Sequence, residues 1–544
     1  MLSRETNNTN VDNGLTEKMS FFTYFKCIEL GQIFYQQTLL RLRRTRNQAT
    51  VLFFAIIMSS ACSTVEKATN AILPNTPPSV LFATVVADEP TAVLAARDVL
   101  AKGGTAADAA VTLYFTLAVT FPSQAGLGGG GICLVHNPFS GGVEVLDFSS
   151  IAGGYSEVTN SSIAVPIAAR GMAWLHARFG RLPWGNLLME SAIIARDGAT
   201  TSRAFINDLK VSALDLANDS VALSLFFNRI GDPLGEGVIF RQIELGSVLG
   251  QIGARGVGVL YRGALANRLA DAAVLQKQIV DRVAFGSRTP KWVSPISLPL
   301  GNRTIYFPPE GAGKVAAAMW QSLSGREGLS GADPVVQTLK LAHAGKAAYG
   351  PRLGTEAPQS GSGFSVVDWT GLAVVCSVTS NKDFGTGQFL PGLGFALAPA
   401  PGKGVLAQQP LSPILVVDRK RRKFVFAATG GGGTVAASSA VAVTARTLLG
   451  GMPLRTASDR PRVHQGGYTD DVTAERSLTA QEIKALEASG AKVKLVPRIG
   501  RVNAVYCEAG LPPDSRSAPP CQVISDKRGH GVGARFKKDV REKR

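Results

Sequence analysis

"QSGSGFSVVDWTGLAVVCSVTS" (359–380) joins a small, flexible run to the most strand-like segment of the chain. The residues from Phe364 to Ser380 alternate and cluster as a hairpin of two buried strands turning at Thr370-Gly371. A spacer of serine and glycine feeding a buried strand raises one question, which is whether a reactive hydroxyl stands at the junction. Ser360 and Ser362 are the hydroxyls there, with Gly361 between them.

Outward from that junction, strands flank a helical middle. "TAVLAARDVLAKGGTAADAAVTLYFTLAVTFP" (91–122) predicts two helices, the first ended by Gly103 and Gly104 and the second capped by Thr105. "SQAGLGGGGICLVHN" (123–137) is a glycine turn leading into a strand, with "GGVEVLDFSS" as its hairpin partner. Phosphate loops lead into a helix N-terminus, so this glycine run is not one. Helical patterns dominate 166–285, strand character returns near 303, and "PILVVDRKRRKFVFAATG" (413–430) predicts a second hairpin turning on its basic cluster. Strands, helices and strands again, without internal repeats, predict an α+β layered sandwich rather than a doubly wound sheet.

The 544 residues carry 59 Gly, 29 Pro and 45% apolar residues, the composition of a globular, loop-rich chain. The net charge of +17 draws on "DRKRRK" (418–423) and "ARFKKDVREKR" (534–544). These read as a solvated hairpin tip and a tail, since no recognition motif or interleaved aromatics point to nucleic acid. "RLRRTRNQATVLFFAIIMSSAC" (41–62) has the basic, apolar and small-residue order of a secretory signal, and the small residues meeting Cys62 suggest lipidation there. That predicts an exported protein, periplasmic or held at the membrane through the signal or the lipid. Cys507 and Cys521 flank a proline-rich loop and would pair in an oxidising compartment. Cys133 and Cys376 lie in apolar runs and read as buried thiols. No Cys/His spacing suggests a metal, no cofactor motif is present, and none of the five histidines has a catalytic companion legible in sequence.

Taken in order, "DVLAKGGTAADAAVTLYFTLAVTFPSQAGLGGGG" (98–131), "VEVLDF" (143–148), "VPIAARGM…FGRLPW" (165–184), "ARDG" (195–198), "FSVVDWTGLAVV" (364–375), "SNKDFGTG" (380–387), "ATGGGGT" (428–434) and "DRPRVH" (459–464) resemble the gamma-glutamyltranspeptidase family over roughly residues 82–534. The resemblance implies a four-layer αββα sandwich of the N-terminal-nucleophile hydrolase type. It also implies a precursor that cleaves itself and acts on a small amide or peptide. It divides the chain into an extension (1–62), a large-subunit-like region (63–358) and a small-subunit-like region (359–544) that fold jointly.

In that family the freed threonine supplies both nucleophile and base. Counted back from Ser365, the threonine position is Gly361, which has no hydroxyl. Strand alternation puts Ser362 on the face of Phe364 and Val366, opposite to Gly361. Ser360 shares that parity problem. The resemblance assigns Thr379 as a support for the nucleophile, Asn381 to the substrate, Gly432 and Gly433 to the oxyanion, and Ser149 to the place of the carboxylate-gripping arginine. The residues that would hold an α-amino group fall in "FALAPAPGKG" (395–404), which has neither acid nor amide. Three readings follow: a family member impaired in gamma-glutamyl transfer, an amidase or acyltransferase using Ser360 or Ser362 on another acyl group, or a basic envelope protein held by Cys62.

Overall fold

The computed structural model describes residues 80–539, apart from 158–159, 326–328, 330, 351–359, 402–409, 468–469 and 514–519. The signal-like segment, Cys62 and most of the spacer lie outside the described residues. In chain order the large sheets begin with β1 (Val80–Ala87), β2 (Gly130–Asn137), β3 (Gly142–Phe148), β4 (Lys291–Val293), β5 (Ile296–Leu300) and β6 (Arg303–Phe307). They continue with β7 (Ser362–Val367), β8 (Ala373–Thr379), β9 (Ile414–Asp418), β10 (Lys423–Gly431), β11 (Arg501–Leu511), β12 (Gln522–Ser525) and β13 (Val532–Asp539). One sheet has seven strands in the order β13-β1-β7-β8-β2-β3-β4, the other six in the order β5-β6-β9-β10-β11-β12. Every pairing within these two sheets is antiparallel.

The sheets face each other across a core of Leu134, Val145, Val367 and Val375 from one and Leu415, Val417, Phe424 and Val505 from the other. The outer face of the first sheet, with Phe364, Val366, Val374 and Cys376, packs on α1 (Pro90–Ala101), α2 (Ala106–Thr120), α3 (Ala168–Phe179) and α4 (Trp184–Asp197). Further out on the same side lie α5 (Arg203–Leu216) and α6 (Ile243–Arg255). The outer face of the second sheet packs on α7 (Ala312–Leu323), α8 (Pro334–Tyr349) and α9 (Ala436–Leu448). The layers run helix, sheet, sheet, helix, as expected. β7, β8, β9 and β10 are buried along their whole length, which is why they read as apolar runs rather than alternating ones.

Local chemistry fixes the helices that lie on the site. Gly103 takes φ 86° to end α1, a conformation that costs glycine nothing. Thr105 then caps α2 with a reciprocal box, its hydroxyl accepting from the Asp108 amide while the Asp108 carboxylate accepts from the Thr105 amide. All fifteen residues of α2 are buried, the signature of a central helix with neighbours on every side. The predicted hairpins form, with the turns at 138–141, 368–372 and 419–422.

One cysteine expectation fails. Cys133 and Cys376 stand directly opposite each other on β2 and β8 and form a disulfide, with Cα atoms 4.1 Å apart. They are buried in apolar surroundings as expected, but they are not free thiols; 243 residues of separation hid the strand pairing that joins them. The Cys507–Cys521 bond is present.

β10 ends where α9 begins, and a Cβ on Gly430 would stand 2.1 Å from the Ala436 carbonyl oxygen. Gly430→Ala is therefore expected to cost about 2 kcal/mol or more by displacing the helix start. Gly250→Ala, in α6 with open space around it, should gain up to about 1 kcal/mol. Denaturant midpoints of the two variants should move in opposite directions.

Candidate active site

The strand junction lies at the end of the sandwich where β1, β8 and β10 finish and β2 and β7 begin. The Gly361 amide donates to Gln124 Oε1 at 2.7 Å, and its carbonyl accepts from Arg501 Nη2 at 2.8 Å. The peptide is held from both sides. A Cβ at 361 would meet the Val378 oxygen at 3.4 Å, Pro410 Cγ at 3.7 Å and Thr379 Cβ at 3.9 Å, all ordinary contacts. Position 361 has room for a Cβ.

Thr379, at the end of β8, is aimed at the preceding residue. Its hydroxyl donates to the Ser360 carbonyl oxygen at 2.6 Å and accepts from the Asn381 amide at 2.8 Å. That carbonyl is the one a hydroxyl on residue 361 would attack. The Ser360 hydroxyl stands 3.3 Å from Thr379 Oγ1 and is buried. Ser362 behaves as parity predicted: Phe364 and Val366 of its face pack on the helical side, whereas Gly363 faces Thr429 of the second sheet. The Ser362 hydroxyl donates to Asp88 Oδ2 at 2.8 Å.

Asp88 gathers three donors. Besides Ser362, Arg501 Nε reaches Oδ2 at 2.8 Å and Asn503 Nδ2 reaches Oδ1 at 2.8 Å, the same Asn503 amide also donating to the Gly363 carbonyl. Charge-assisted bonds of this kind are the strong ones. On the other side of Gly361, Gln124 Nε2 donates to Asp208 Oδ2 at 2.7 Å and to Asp383 Oδ1 at 2.8 Å. Two carboxylates claim the amide nitrogen, so the oxygen is left to face the Gly361 amide. Burial, then the neighbouring Asp208 charge, pushes the Asp383 carboxyl up to about 6, and burial raises Asp208 as well, each opposed by Arg501.

The other expected residues are distributed as follows. Gly432 and Gly433 take φ 101° and 74°, conformations that favour glycine, at the turn from β10 toward α9. Gly431 lies so close that a Cβ there would sit 2.8 Å from the Gly361 oxygen. The turn and the junction are neighbours. Asn381 Nδ2 donates to the Pro399 carbonyl at 2.7 Å. Ser149 follows β3 at the same sheet end, and both its amide and its hydroxyl donate to the Asp147 carboxylate. No guanidinium takes its place. The described part of "FALAPAPGKG" pairs through Leu397 with Gly128 and through Pro399 with Ile163. Among the described residues no cluster of three or more His, Cys, Asp or Glu is placed to hold a metal ion.

Sequence reasoning missed six contributors, Asp88 and Asn503 among them. Gln124 and Asp383 sat inside stretches already quoted, without a signal separating them from their neighbours. Asp208 comes from α5, where nothing in the pattern marks it, and Arg501 follows the last glycine of a loop. His464 does have a companion, its Nδ1 lying 2.8 Å from Ser438 Oγ in the first turn of α9. Burial holds that imidazole down at about 4, so it is neutral; with Tyr349 donating to the Thr434 carbonyl at 2.7 Å, the pair braces the glycine turn.

With this geometry in place, comparison with known proteins is decisive for kinship. The Gamma-glutamyltranspeptidase family model matches residues 92–353 and 330–536. The chain belongs to the gamma-glutamyltranspeptidase family. It is 23% identical over 512 residues to a glutathione hydrolase proenzyme of Escherichia coli K12, covering 77% of this chain and 87% of that one. It is 26% identical over 505 residues to the Acylase ACY 1 proenzyme of Pseudomonas sp. strain V22, covering 77% and 89%. The glutathione hydrolase 5 proenzyme of Rattus norvegicus is 30% identical over 251 residues, 42% of this chain and 43% of its own length. Cephalosporin acylase from Bacillus halodurans superposes with a TM-score of 0.70 at 19% identity, covering 85% of this chain and 97% of that one, a likeness of fold.

A pH dependence follows from the acid pair. Asp383 titrates at about 6 in the folded chain against an ordinary 3.8, so between those values the folded protein keeps a proton that the unfolded chain has released. Its contribution is most favourable below the lower value and is lost as pH rises through about 6. Asp383→Asn, which keeps the acceptor for Gln124 and removes the charge, should gain stability relative to the parent as pH is raised from about 4 to 8. The gain expected is about 1–2 kcal/mol once solvent screening at this half-buried site is allowed for. Urea denaturation at both pH values measures it.

Proposed function

We propose that this chain retains the frame of its family while gamma-glutamyl transfer is lost, so that it acts as a single, uncleaved chain that binds a small amide or peptide without turning it over. The observation that carries this is the pairing of Thr379 with Gly361: the donor to the Ser360 carbonyl stands in place, and the residue that would attack that carbonyl has no hydroxyl. Chemistry of this kind draws nucleophile and base from one residue, so losing that side chain, and with it the chain cut that frees the amine, removes both. Ser149, committed to Asp147, adds to the case, because a hydroxyl cannot replace a guanidinium fork on a substrate carboxylate.

A second reading is acyl transfer to another substrate through Ser360. The 3.3 Å approach of its hydroxyl to Thr379, and an acylase among the relatives, speak for it. Intact mass of the purified protein separates the two: one chain across residue 361, with no hydrolysis of a gamma-glutamyl anilide, is expected. Two chains, the smaller beginning at Ser360, Gly361 or Ser362, would overturn the non-catalytic reading. Gly361→Thr gives the reverse test. Because a Cβ at this position meets only ordinary contacts, this variant is expected to fold and to cleave itself between Ser360 and residue 361, with a rate that Thr379→Ala lowers by roughly 10²-fold or more, the loss typical of one donor to a developing oxyanion.

The same proposal holds the protein to be exported behind residues 41–62 and kept at the cell envelope through Cys62. Cys62→Ala is then expected to release it into the soluble fraction, and a variant that stays with the membrane refutes lipidation.

A further inference from the structure

The strand register separates two ends of the sandwich. Gly361, Thr379, Gly130 and Gly431 lie at one. At the other, β1 begins opposite the end of β13, with Val80 against Asp539, and β2 meets β8 at His136 and Ala373, so the turns at 138–141 and 368–372 sit together. The β9–β10 turn joins them, since Arg422 Nη1 donates to the Phe139 carbonyl at 2.9 Å. β8 alone spans roughly 20 Å between the two ends at about 3.3 Å per residue.

Charge collects at the second end. Arg419, Lys420, Arg421 and Arg422 are exposed in one tip. The acid of that tip, Asp418, is 6% exposed, accepting from the Arg421 amide at 3.0 Å and standing 4.0 Å from the Arg421 guanidinium. In the adjoining tip Phe139 is 77% exposed. β13 adds the exposed Arg535 and Lys537 and finishes here at Asp539. Of the nearby acids, Glu144 pairs with Arg178 at 2.7 Å, and Glu508 is exposed on β11. Cations beside a bare aromatic ring suit a surface that is anionic outside and apolar just beneath. A nucleic-acid duplex would use the cations as well, so duplex DNA enters the test as the competing partner.

We propose that this end of the sandwich, with Arg419–Arg422 and Phe139 at its centre, docks on an anionic phospholipid bilayer and leaves the Gly361 end facing away. The test is co-sedimentation of the full chain with vesicles of phosphatidylcholine, with and without about one third phosphatidylglycerol, at about 0.1 M salt. The N-terminal segment contributes to both vesicle types, and the tip acts on the difference between them. Anionic lipid should raise the bound-to-free ratio at least tenfold. Arg419→Glu/Lys420→Glu/Arg421→Glu should remove most of that increment and leave binding to neutral vesicles unchanged, and Phe139→Ala should lower it severalfold. An unchanged thermal midpoint confirms that the triple variant is folded; should it fail to fold, Lys420→Glu/Lys537→Glu carries the same test. Equal binding of the parent to both vesicle types, or a triple variant that keeps the increment, overturns the proposal. So does retention on duplex DNA without any anionic increment, which would make nucleic acid the partner.

Discussion

Asp88 follows Ala87, the last residue of β1, and is buried at the site end of the sandwich. Its carboxylate is met by Ser362 from β7 and by Arg501 and Asn503 from β11, so one buried charge couples the two sheets at the end where the site lies. Taking such a charge out of water is costly, and the cost is offset only when donors of good geometry surround it. Removing one partner would leave the other charge buried and unpaired, a larger penalty than the pair's own net worth. The same Arg501 binds the Gly361 carbonyl, so the alignment of the sheets and the placement of the junction peptide rest on one guanidinium.

That dependence explains how the scaffold persists around an altered site. The junction is held by Gln124 on its amide, Arg501 on its carbonyl and Thr379 on the carbonyl before it, and none of these bonds involves the side chain of residue 361. Replacing a hydroxyl-bearing residue there by glycine breaks no contact on which the fold depends. On the proposed reading, chemistry is lost before structure is. Ser149 fits the same account, because the turn after β3 is closed by Asp147 through a backbone amide and a hydroxyl without any need for an arginine.

Much of the fold was legible in the sequence because its signals are local. Gly103-Gly104 followed by Thr105 marks a helix end and a capped start, and two apolar runs around Thr370-Gly371 mark a hairpin. The place of Gly361 was legible by counting from Ser365 along a matched strand. What sequence could not supply is adjacency between distant segments. Cys133 and Cys376 become neighbours through strand pairing, and Asp208 approaches Gly361 only because α5 packs over the α2–β2 connection. Ser438 and His464, likewise, are 26 residues apart and meet across a helix turn. A buried polar group announces itself by its partners, and partners are a property of the packed chain.

The acid pair sharpens what kind of site this is. Two carboxylates tied to one amide nitrogen are an electrostatic liability, and the raised hold of Asp383 on its proton lessens it. As pH rises through about 6 the proton is lost, negative charge builds next to the Gly361 amide, and an anion in this space becomes harder to stabilise while a cation becomes easier. Backbone donors at Gly432 and Gly433 would have to work against that field. On the proposed reading, the electrostatics and the missing hydroxyl point the same way: the bonds that survive hold the junction peptide in place, and the carboxylates beside it disfavour an oxyanion.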